Sequence, residues 1–145
     1  EVPLDEWDLT ISVNLRGAFL VSKHAVPAMK SVGSGVIVLI ASEAGVKSGS
    51  SDVAYGASKG GVNGLGMTLE GQLAPDGIRV NVVCPGNIST PLKLGAIEQQ
   101  VERLGEVADR ERQIAGLGSP DGVARLLAFL LSDEADYVRG TLFTR

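Results

Sequence analysis

The sequence predicts an α/β fold, in which parallel strands alternate with helices, from two apolar runs and the helical segment between them. Residues 36–41 form a continuous apolar run rich in β-branched side chains, which is typical of a parallel strand buried on both faces. Ile78–Cys84 is a second run of this kind, and a helix is predicted between the two runs, from about Val53 to Leu73. This alternation favours a single domain in which helices cover a parallel sheet.

A further helix is predicted before the first strand, from about Leu4 to Met29. Its apolar residues recur at intervals close to 3.6, and Asp5 is a plausible N-cap. Asn14 falls inside this helix, where its amide competes for backbone hydrogen bonds and can disturb the helical ladder. The apolar series consists of Trp7, Ile11, Leu15, Ala18 and Val21.

The predicted helix at 53–73 carries small residues at helical spacing, namely Ala57, Gly60, Gly61 and Gly64. Each glycine in a helix interior costs about 1 kcal/mol relative to alanine. Repetition of this cost indicates close approach by another element, either from the same chain or from a second subunit.

Turns and one more helix account for the rest of the chain. Residues 32–35, 48–52 and 74–77 are predicted turns or loops, and residues 89–116 are polar and charged with weak helical periodicity. Ser119 is expected to cap a helix whose first position is Pro120, and Leu142 and Phe143 predict the start of a last strand. The apolar stripe of that helix consists of Val123, Leu126, Leu127 and Leu130.

Composition narrows the class of protein. The 145 residues suffice for one domain with a core, and the 44% of hydrophobic residues argues against disorder. The net charge of −4 is scattered without a basic stripe, which argues against nucleic acid as a partner. No apolar run approaches the ~20 residues that a membrane span needs, and no signal peptide is visible, so a cytoplasmic protein with no membrane partner is expected.

The single cysteine and the single histidine argue against disulfides and metal sites. Cys84 has no partner for an internal disulfide and is expected to be a small core residue. His24 has no second ligand candidate near it, so no metal site is expected.

Tyr55 and Lys59 carry the most specific chemical signal. A tyrosine titrates near pH ~10 and is a poor base at neutral pH. Residues four apart on a helix share a face, so the ammonium of Lys59 is expected beside the phenol of Tyr55. One positive charge at about 4 Å stabilises a phenolate by roughly 4 kcal/mol at an effective dielectric of ~20. Ser42, 13 residues earlier, supplies a hydroxyl that can bond a substrate oxygen while the tyrosine moves the proton.

The strand ends give weight to this pair, because Tyr-x-x-x-Lys by itself is common on amphipathic helices. Ser42 directly follows the first apolar run, and the sequence PGNIST at residues 85–90 directly follows the second. In open parallel sheets, ligands bind outside the carboxyl ends of the strands. The sequence therefore predicts a ligand site at this edge of the sheet.

With these motifs, the chain resembles the C-terminal part of a short-chain dehydrogenase/reductase (SDR) over essentially its whole length. Ser42, Tyr55 and Lys59 stand at the family's spacing, and Asn14 in the run VNLRG is similar to the family's helix asparagine. The run PGNIST and the segments 118–120, 133–135 and 137–140 match as well.

The resemblance implies a Rossmann-like doubly wound parallel sheet and an oxidoreductase that uses NAD or NADP. A hydride would pass between nicotinamide and a secondary alcohol or carbonyl substrate. Tyr55 would transfer the proton and Ser42 would orient the substrate oxygen. Lys59 would tune Tyr55 and bond the nicotinamide ribose, while Asn14 would hold a water that links Lys59 to solvent.

The resemblance also implies contacts with the cofactor after the second strand, and contacts between subunits. Pro85 and Gly86 would let the chain turn close to the nicotinamide ring, while Thr90 and the backbone near Ile88 would hold its carboxamide. Residues 89–116 would cover the substrate, and the helix at 53–73 would pair across the interface of a homodimer or homotetramer.

The chain departs from the family pattern at its start. It has no Gly-rich strand-turn-helix fingerprint to cradle a pyrophosphate, and no residue that would choose between NAD and NADP. Residues 1–145 are therefore expected to be the catalytic half of one SDR-type domain, without its N-terminal nucleotide-binding half and with apolar groups exposed around a short sheet. The alternative hypothesis is a truncated, inactive fragment that serves only as an oligomerisation or interaction module. The sequence does not determine the substrate.

Overall fold

The computed structural model of the protein describes residues 2–47, 50, 52–104 and 107–145. Within the predicted loop 48–52, Ser48, Gly49 and Ser51 lie outside the described residues, as do Gly105 and Glu106 of the segment 89–116. The strands are β1 Gly35–Ile40, β2 Ile78–Cys84 and β3 Leu142–Thr144. The α-helices are α1 Leu4–Ile11, α2 Gly17–Val32, α3 Val53–Leu73, α4 Pro91–Leu104, α5 Val107–Ala115 and α6 Pro120–Leu131.

The three strands form one parallel sheet in the order β1-β2-β3. Ile37 pairs with Val80 in the first ladder, and Val82 pairs with Leu142 in the second. The bounds of α3 and β2 agree with the prediction, and β1 begins and ends one residue earlier than predicted. The predicted α/β class with a parallel sheet is confirmed.

β2 lies at the centre of the sheet and is buried along its whole length. Val80 and Val82 join the hydrophobic core together with Val62 of α3. Arg79 alternates with these residues, and its guanidinium donates to backbone carbonyls at the end of α6, including that of Leu130 at 3.1 Å. Because successive side chains point to opposite faces of a strand, α3 and the end of α6 pack on opposite faces of β2.

The prediction that the first strand is buried on both faces is wrong for β1. Ile37 and Leu39 are buried at 8% and 7% exposure, but Ile40 remains 45% exposed. The reason is position, because β1 lies at the edge of the described sheet and β2 covers it on one side only. The expected exposure of apolar groups around a short sheet is observed at Ile40.

The predicted first helix is divided at Asn14. A π-helical segment, Ser12–Arg16, separates α1 from α2, and Asn14 lies at its centre. Its amide Nδ2 donates to Ser58 Oγ at 3.0 Å, which ties the segment to α3. Single turns of π-helix inside α-helices often mark functional positions. The predicted disturbance of the helical ladder is therefore confirmed.

The predicted cap of this helix is wrong. Pro3, and not Asp5, precedes the first helical residue, and no side chain caps the helix. Asp5 lies within the first turn, where an acidic side chain interacts favourably with the positive end of the helix dipole.

The small residues of α3 allow tight packing within the chain. A Cβ built at Gly61 would lie 2.6 Å from Leu15 Cδ2, and one built at Gly60 would lie 3.7 Å from the carbonyl oxygen of Gly45. A Cβ built at Gly64 meets nothing within 4 Å. Contacts within the chain thus explain part of the glycine pattern and leave Gly64 unexplained.

The later helices are more regular than the sequence indicates. Residues 89–116, which show only weak periodicity in the sequence, contain α4 and α5. A bidentate ion pair between Arg110 and Glu98 joins these two helices. The predicted start of α6 is confirmed, because Ser119 Oγ accepts a hydrogen bond from the amide of Asp121 at 3.2 Å and Pro120 is the first helical residue.

Candidate active site

The carboxyl end of the sheet brings two loops together. The ladder between the strands continues past β1, where the amide of Ala41 donates to the carbonyl of Val83 at 2.8 Å. The amide of Glu43 then donates to the carbonyl of Pro85 at 3.0 Å. These bonds hold the turn that begins at Ser42 against the turn that follows β2.

Ser42 occupies the start of a short 3-10 turn, Glu43–Gly45, in an extended conformation. Its Oγ accepts a hydrogen bond from the amide of Ala44 at 3.2 Å, which fixes the position of the oxygen. A hydroxyl that accepts one hydrogen bond still has its own hydrogen to donate. Ser42 can therefore direct a hydrogen bond to a ligand.

Asp52 places Tyr55 at the start of α3. The carboxylate of Asp52 accepts a hydrogen bond from the amide of Tyr55 at 3.0 Å, as N-cap residues commonly do. Tyr55 therefore lies in the first turn, where its side chain remains 36% exposed. Asp52 was not among the predicted site residues, although an aspartate directly before the predicted start of a helix is a recognisable signal.

Lys59 lies one turn after Tyr55 on the same face of α3. Its Nζ is 5.7 Å from the centroid of the Tyr55 ring, and it donates to the carbonyl oxygen of Ile40 at 3.1 Å. The second contact anchors the ammonium at the end of β1. The predicted juxtaposition of the phenol and the ammonium is thus present in the structure.

Ser42 and Tyr55 line one open cleft of about 560 Å³. Of the predicted cofactor residues, Pro85 and Gly86 line the same cleft. Five of the polar residues around it were not predicted to take part, and of these Glu43 and Lys47 carry the signal of opposite charges four residues apart on one turn. The lining residues are Ser42, Glu43, Ala44, Lys47, Ser50, Asp52, Tyr55, Pro85, Gly86 and Asn87.

Gly86 leaves room for the carboxylate of Glu43 against one wall of the cleft. A Cβ built at this position would lie 2.5 Å from Glu43 Oε2, a separation that real atoms do not show. The absence of a side chain at Gly86 therefore lets the Glu43 carboxylate lie against the backbone between Pro85 and Asn87.

Ile88 and Thr90 do not line this cleft. Ile88 lines a neighbouring cleft of about 520 Å³, and its strand-like bridge to Gly118 holds the turn after β2 in place. The hydroxyl of Thr90 accepts a hydrogen bond from the amide of Lys93 at 3.3 Å, at the start of α4. The roles expected for these two residues stay predictions.

Asn14 also lies apart from the cleft lining. Ser58, which accepts its hydrogen bond, donates in turn to the carbonyl oxygen of Tyr55 at 2.8 Å. Asn14 is thus connected to the first turn of α3 through one intervening side chain, and its expected role in a proton relay stays a prediction.

Cys84 is a core residue, as expected. Its side chain is fully buried, and its Sγ donates to Asn63 Oδ1 at 3.3 Å. Burial raises the pKa of the thiol above its ordinary value of 9.0, although a backbone hydrogen bond from Ser42 and the charge of Lys59 act in the opposite direction. The thiol is therefore kept neutral and unreactive beneath the site.

Two further features are absent from the part of the chain that the structure describes. Among these residues, no group of three His, Cys, Asp or Glu side chains could hold a metal ion. No helix among them has both the length and the apolar character that crossing a membrane requires.

Similar sequences are found among known proteins. A family model described as Enoyl-(Acyl carrier protein) reductase matches residues 1–144. The 3-oxoacyl-(acyl-carrier-protein) reductase of Thermotoga maritima is 39% identical over 136 residues, which cover 94% of this chain and 54% of the relative. The chain spans about half the length of the curated relatives it matches.

Solved structures show the same fold. NAD⁺-bound xylitol dehydrogenase matches with a TM-score of 0.86 and 30% identity, over 99% of this chain and 60% of that one. An oxidoreductase of the short-chain dehydrogenase/reductase family from Burkholderia thailandensis matches with a TM-score of 0.84 and 27% identity, over 99% and 56%. The expected Rossmann-like arrangement is confirmed. The match along nearly the whole length, together with the sheet edge that carries Ser42, Tyr55 and Lys59, shows that this chain belongs to the short-chain dehydrogenase/reductase family.

Proposed function

We propose that the full product of the gene encoding this chain is an NAD(P)-dependent oxidoreductase that transfers a hydride between nicotinamide and a secondary alcohol or carbonyl substrate. One observation carries the proposal. Ser42 and Tyr55 share a cleft with Pro85 and Gly86, while the Lys59 ammonium lies 5.7 Å from the centroid of the Tyr55 ring. Membership of the family and the likeness to NAD⁺-bound xylitol dehydrogenase support it.

The proton chemistry belongs to Tyr55. Its hydroxyl donates a proton to the substrate oxygen during reduction and accepts one from it during oxidation. The positive charge of Lys59 favours the phenolate that this exchange requires. Ser42 donates a hydrogen bond to the same substrate oxygen and so orients the reacting carbon.

The residues after β2 are assigned to the cofactor. A bound nicotinamide supplies the hydride acceptor or donor. We assign its ring to Pro85 and Gly86, because both line the cleft that also holds Ser42 and Tyr55. We assign its carboxamide to Thr90 and the backbone of Ile88, and its ribose to Lys59.

Asn14 is assigned a supporting role in proton relay between Lys59 and solvent. Its position supports this assignment, because it lies in a π-helical segment and reaches the first turn of α3 through Ser58. π-Helical segments are costly to keep and are frequent at functional sites.

Self-association is a further part of the proposal, as a homodimer or a homotetramer in the cytoplasm. The support is a stripe of residues on α3 that no other part of the described chain covers. Cβ atoms built at Gly64 and Gly71 meet nothing within 4 Å, and Met67 between them is 47% exposed. Residues at this spacing share one face of a helix.

The experiment is an assay of the full gene product with NAD and NADP against a panel of secondary alcohols and ketones. Tyr55→Phe removes only the phenolic hydroxyl, and we expect it to lower kcat/KM at least about 100-fold, the usual loss for a general acid/base. Tyr137→Phe is the matched control, because Tyr137 is 99% exposed and lines none of the clefts described above. Nicotinamide fluorescence measures cofactor binding in each variant.

The outcomes separate chemistry from folding. A Tyr55→Phe protein that still binds cofactor but turns over substrate slowly supports the proposal. Wild-type turnover by Tyr55→Phe contradicts the role of the phenol. A folded wild-type protein that binds neither cofactor contradicts the proposed function and favours the alternative of a non-catalytic interaction module.

A further inference from the structure

The substrate side of the cleft is unusually polar for a site that would take an apolar alcohol. Among the described residues, seven of the ten that line it carry a polar or charged side chain. Its apolar side chains are Ala44 and Pro85. Such a lining offers hydrogen-bond partners to a substrate with several hydroxyl groups, which a long acyl chain lacks.

Glu43 is the polar residue closest in the chain to the proposed chemistry. It follows Ser42 directly and lines the same cleft as Tyr55. Its backbone amide is fixed by the carbonyl of Pro85 at 3.0 Å. Its carboxylate oxygen Oε2 faces the backbone of Gly86, since a Cβ built there would lie 2.5 Å away. The carboxylate is therefore held inside the cleft and not on the outer surface of the turn.

Lys47 fixes the other oxygen of this carboxylate. Its Nζ donates to Glu43 Oε1 at 3.1 Å and to the carbonyl oxygen of Arg145 at 2.5 Å. The side chain of Glu43 keeps 37% exposure, so a ligand can still reach it. The ion pair thus orients Oε2 and offsets the negative charge of the carboxylate.

We propose that Glu43 is a specificity-determining residue, which accepts a hydrogen bond from a second hydroxyl on the carbon next to the reacting carbinol. The inference rests on the proposed function, because it assumes that Ser42 and Tyr55 hold the reacting oxygen. The substrate class it selects is a vicinal diol or polyol, in preference to an alcohol with a single hydroxyl.

The charge of Lys47 favours a neutral hydroxyl over a cation as the partner of Glu43, while the other carboxylate of the cleft, that of Asp52, caps α3 through the amide of Tyr55. The ammonium of Lys47 lies beside the carboxylate and would repel a positively charged substrate group. A hydroxyl carries no charge, and a hydrogen bond to a carboxylate is about twice as strong as one between neutral groups.

The test compares two substrates that differ by one hydroxyl, cyclohexanol and trans-cyclohexane-1,2-diol, in the full gene product with its preferred cofactor. The wild-type protein is expected to show a kcat/KM for the diol at least about tenfold above that for cyclohexanol, the size of one hydrogen bond to a charged group. Glu43→Gln is expected to reduce this ratio at least about tenfold. In Glu43→Gln, Lys47 would hold the amide oxygen in the position of Oε1. The amide NH₂, which donates hydrogen bonds and cannot accept one, would then take the place of Oε2.

Two further variants make the result interpretable. Glu43→Ala removes both oxygens, and the same fall in the ratio is expected from it. Asp136→Asn is the matched acid-to-amide control, because Asp136 forms a surface ion pair with Arg139 at 3.6 Å and is 83% exposed. It is expected to leave the ratio unchanged.

The failure of this inference differs from the failure of the proposed function. A wild-type preference for cyclohexanol, or a ratio that Glu43→Gln leaves unchanged, overturns the inference while turnover itself supports the proposed function. Turnover of a 3-oxoacyl thioester by a protein that accepts neither cyclohexane compound likewise overturns the inference and supports the proposed function. A protein without nicotinamide-dependent turnover of any compound contradicts both.

Discussion

Removing the positive charge of Lys59 tests the electrostatic part of the mechanism most directly. The Nζ of Lys59 lies 5.7 Å from the centroid of the Tyr55 ring. At an effective dielectric of ~20, two unit charges about 6 Å apart interact by about 3 kcal/mol, which is the upper limit of what this charge can contribute to the transition state. Since each 1.36 kcal/mol is tenfold in rate, Lys59→Met is expected to lower kcat/KM about 100-fold.

The assay is steady-state turnover of the full gene product, beside thermal unfolding and cofactor titration of the same samples. Lys59→Met also loses the hydrogen bond to the carbonyl oxygen of Ile40, so unfolding shows how much of the effect is structural. Lys59→Arg keeps the charge and is expected to recover part of the loss. Lys30→Met is the control, because Lys30 pairs with Asp76 at 2.6 Å at the opposite end of the sheet.

Two results would refute this reasoning. The first is a Lys59→Met protein with the turnover of the wild type, which would show that the charge does not act on the phenol. The second is a Lys59→Arg protein as slow as Lys59→Met with normal folding and cofactor binding, which would show that positive charge alone is not what the site uses.

Two further predictions concern packing and the buried thiol. Gly66→Ala is expected to destabilise the fold by about 1–3 kcal/mol, because a Cβ there would clash with Val82 Cγ2. Gly95→Ala, at a position within α4 where a Cβ meets nothing within 4 Å, is expected to stabilise the fold by about 0.5–1 kcal/mol; equal effects in urea unfolding would contradict this packing. Cys84 is expected to react with a disulfide reagent at pH 8 only as fast as the protein unfolds, because burial raises its pKa. The same shift makes its contribution to stability fall as the pH rises above 9.0, and rapid labelling of the native protein would contradict both statements.

Much of the architecture follows from local pattern. The bounds of α3 and β2 are visible in the sequence because a helix and a buried strand differ in period and in β-branched content. The start of α6 is visible because the Ser119 cap and Pro120 act within one turn. The exposure of Ile40 is not visible, because an apolar run looks the same at the edge of a sheet as at its centre.

The candidate site likewise has a part that the sequence indicates and a part that it does not. The spacing of Tyr55 and Lys59 on one helix face is a local property, so the sequence alone indicates their proximity. The meeting of Glu43 with Gly86 is not local, because it depends on the hydrogen bond between the turns after β1 and β2. Likewise, no periodicity connects Asn14 with Ser58, which lie 44 residues apart and meet through the packing of two helices.

By itself, the sequence determined the fold class, the family resemblance and the identity of the groups that would move a proton, since these depend on residue type and on short-range spacing. Only the tertiary structure decided which of those groups share a cleft. It placed Ser42 and Tyr55 together with Gly86, added Glu43 and Lys47, and left Thr90 at the start of α4. The physical reason is that a cleft forms between chain segments that are distant in sequence, and its lining depends on how strand ends and helix ends pack against one another.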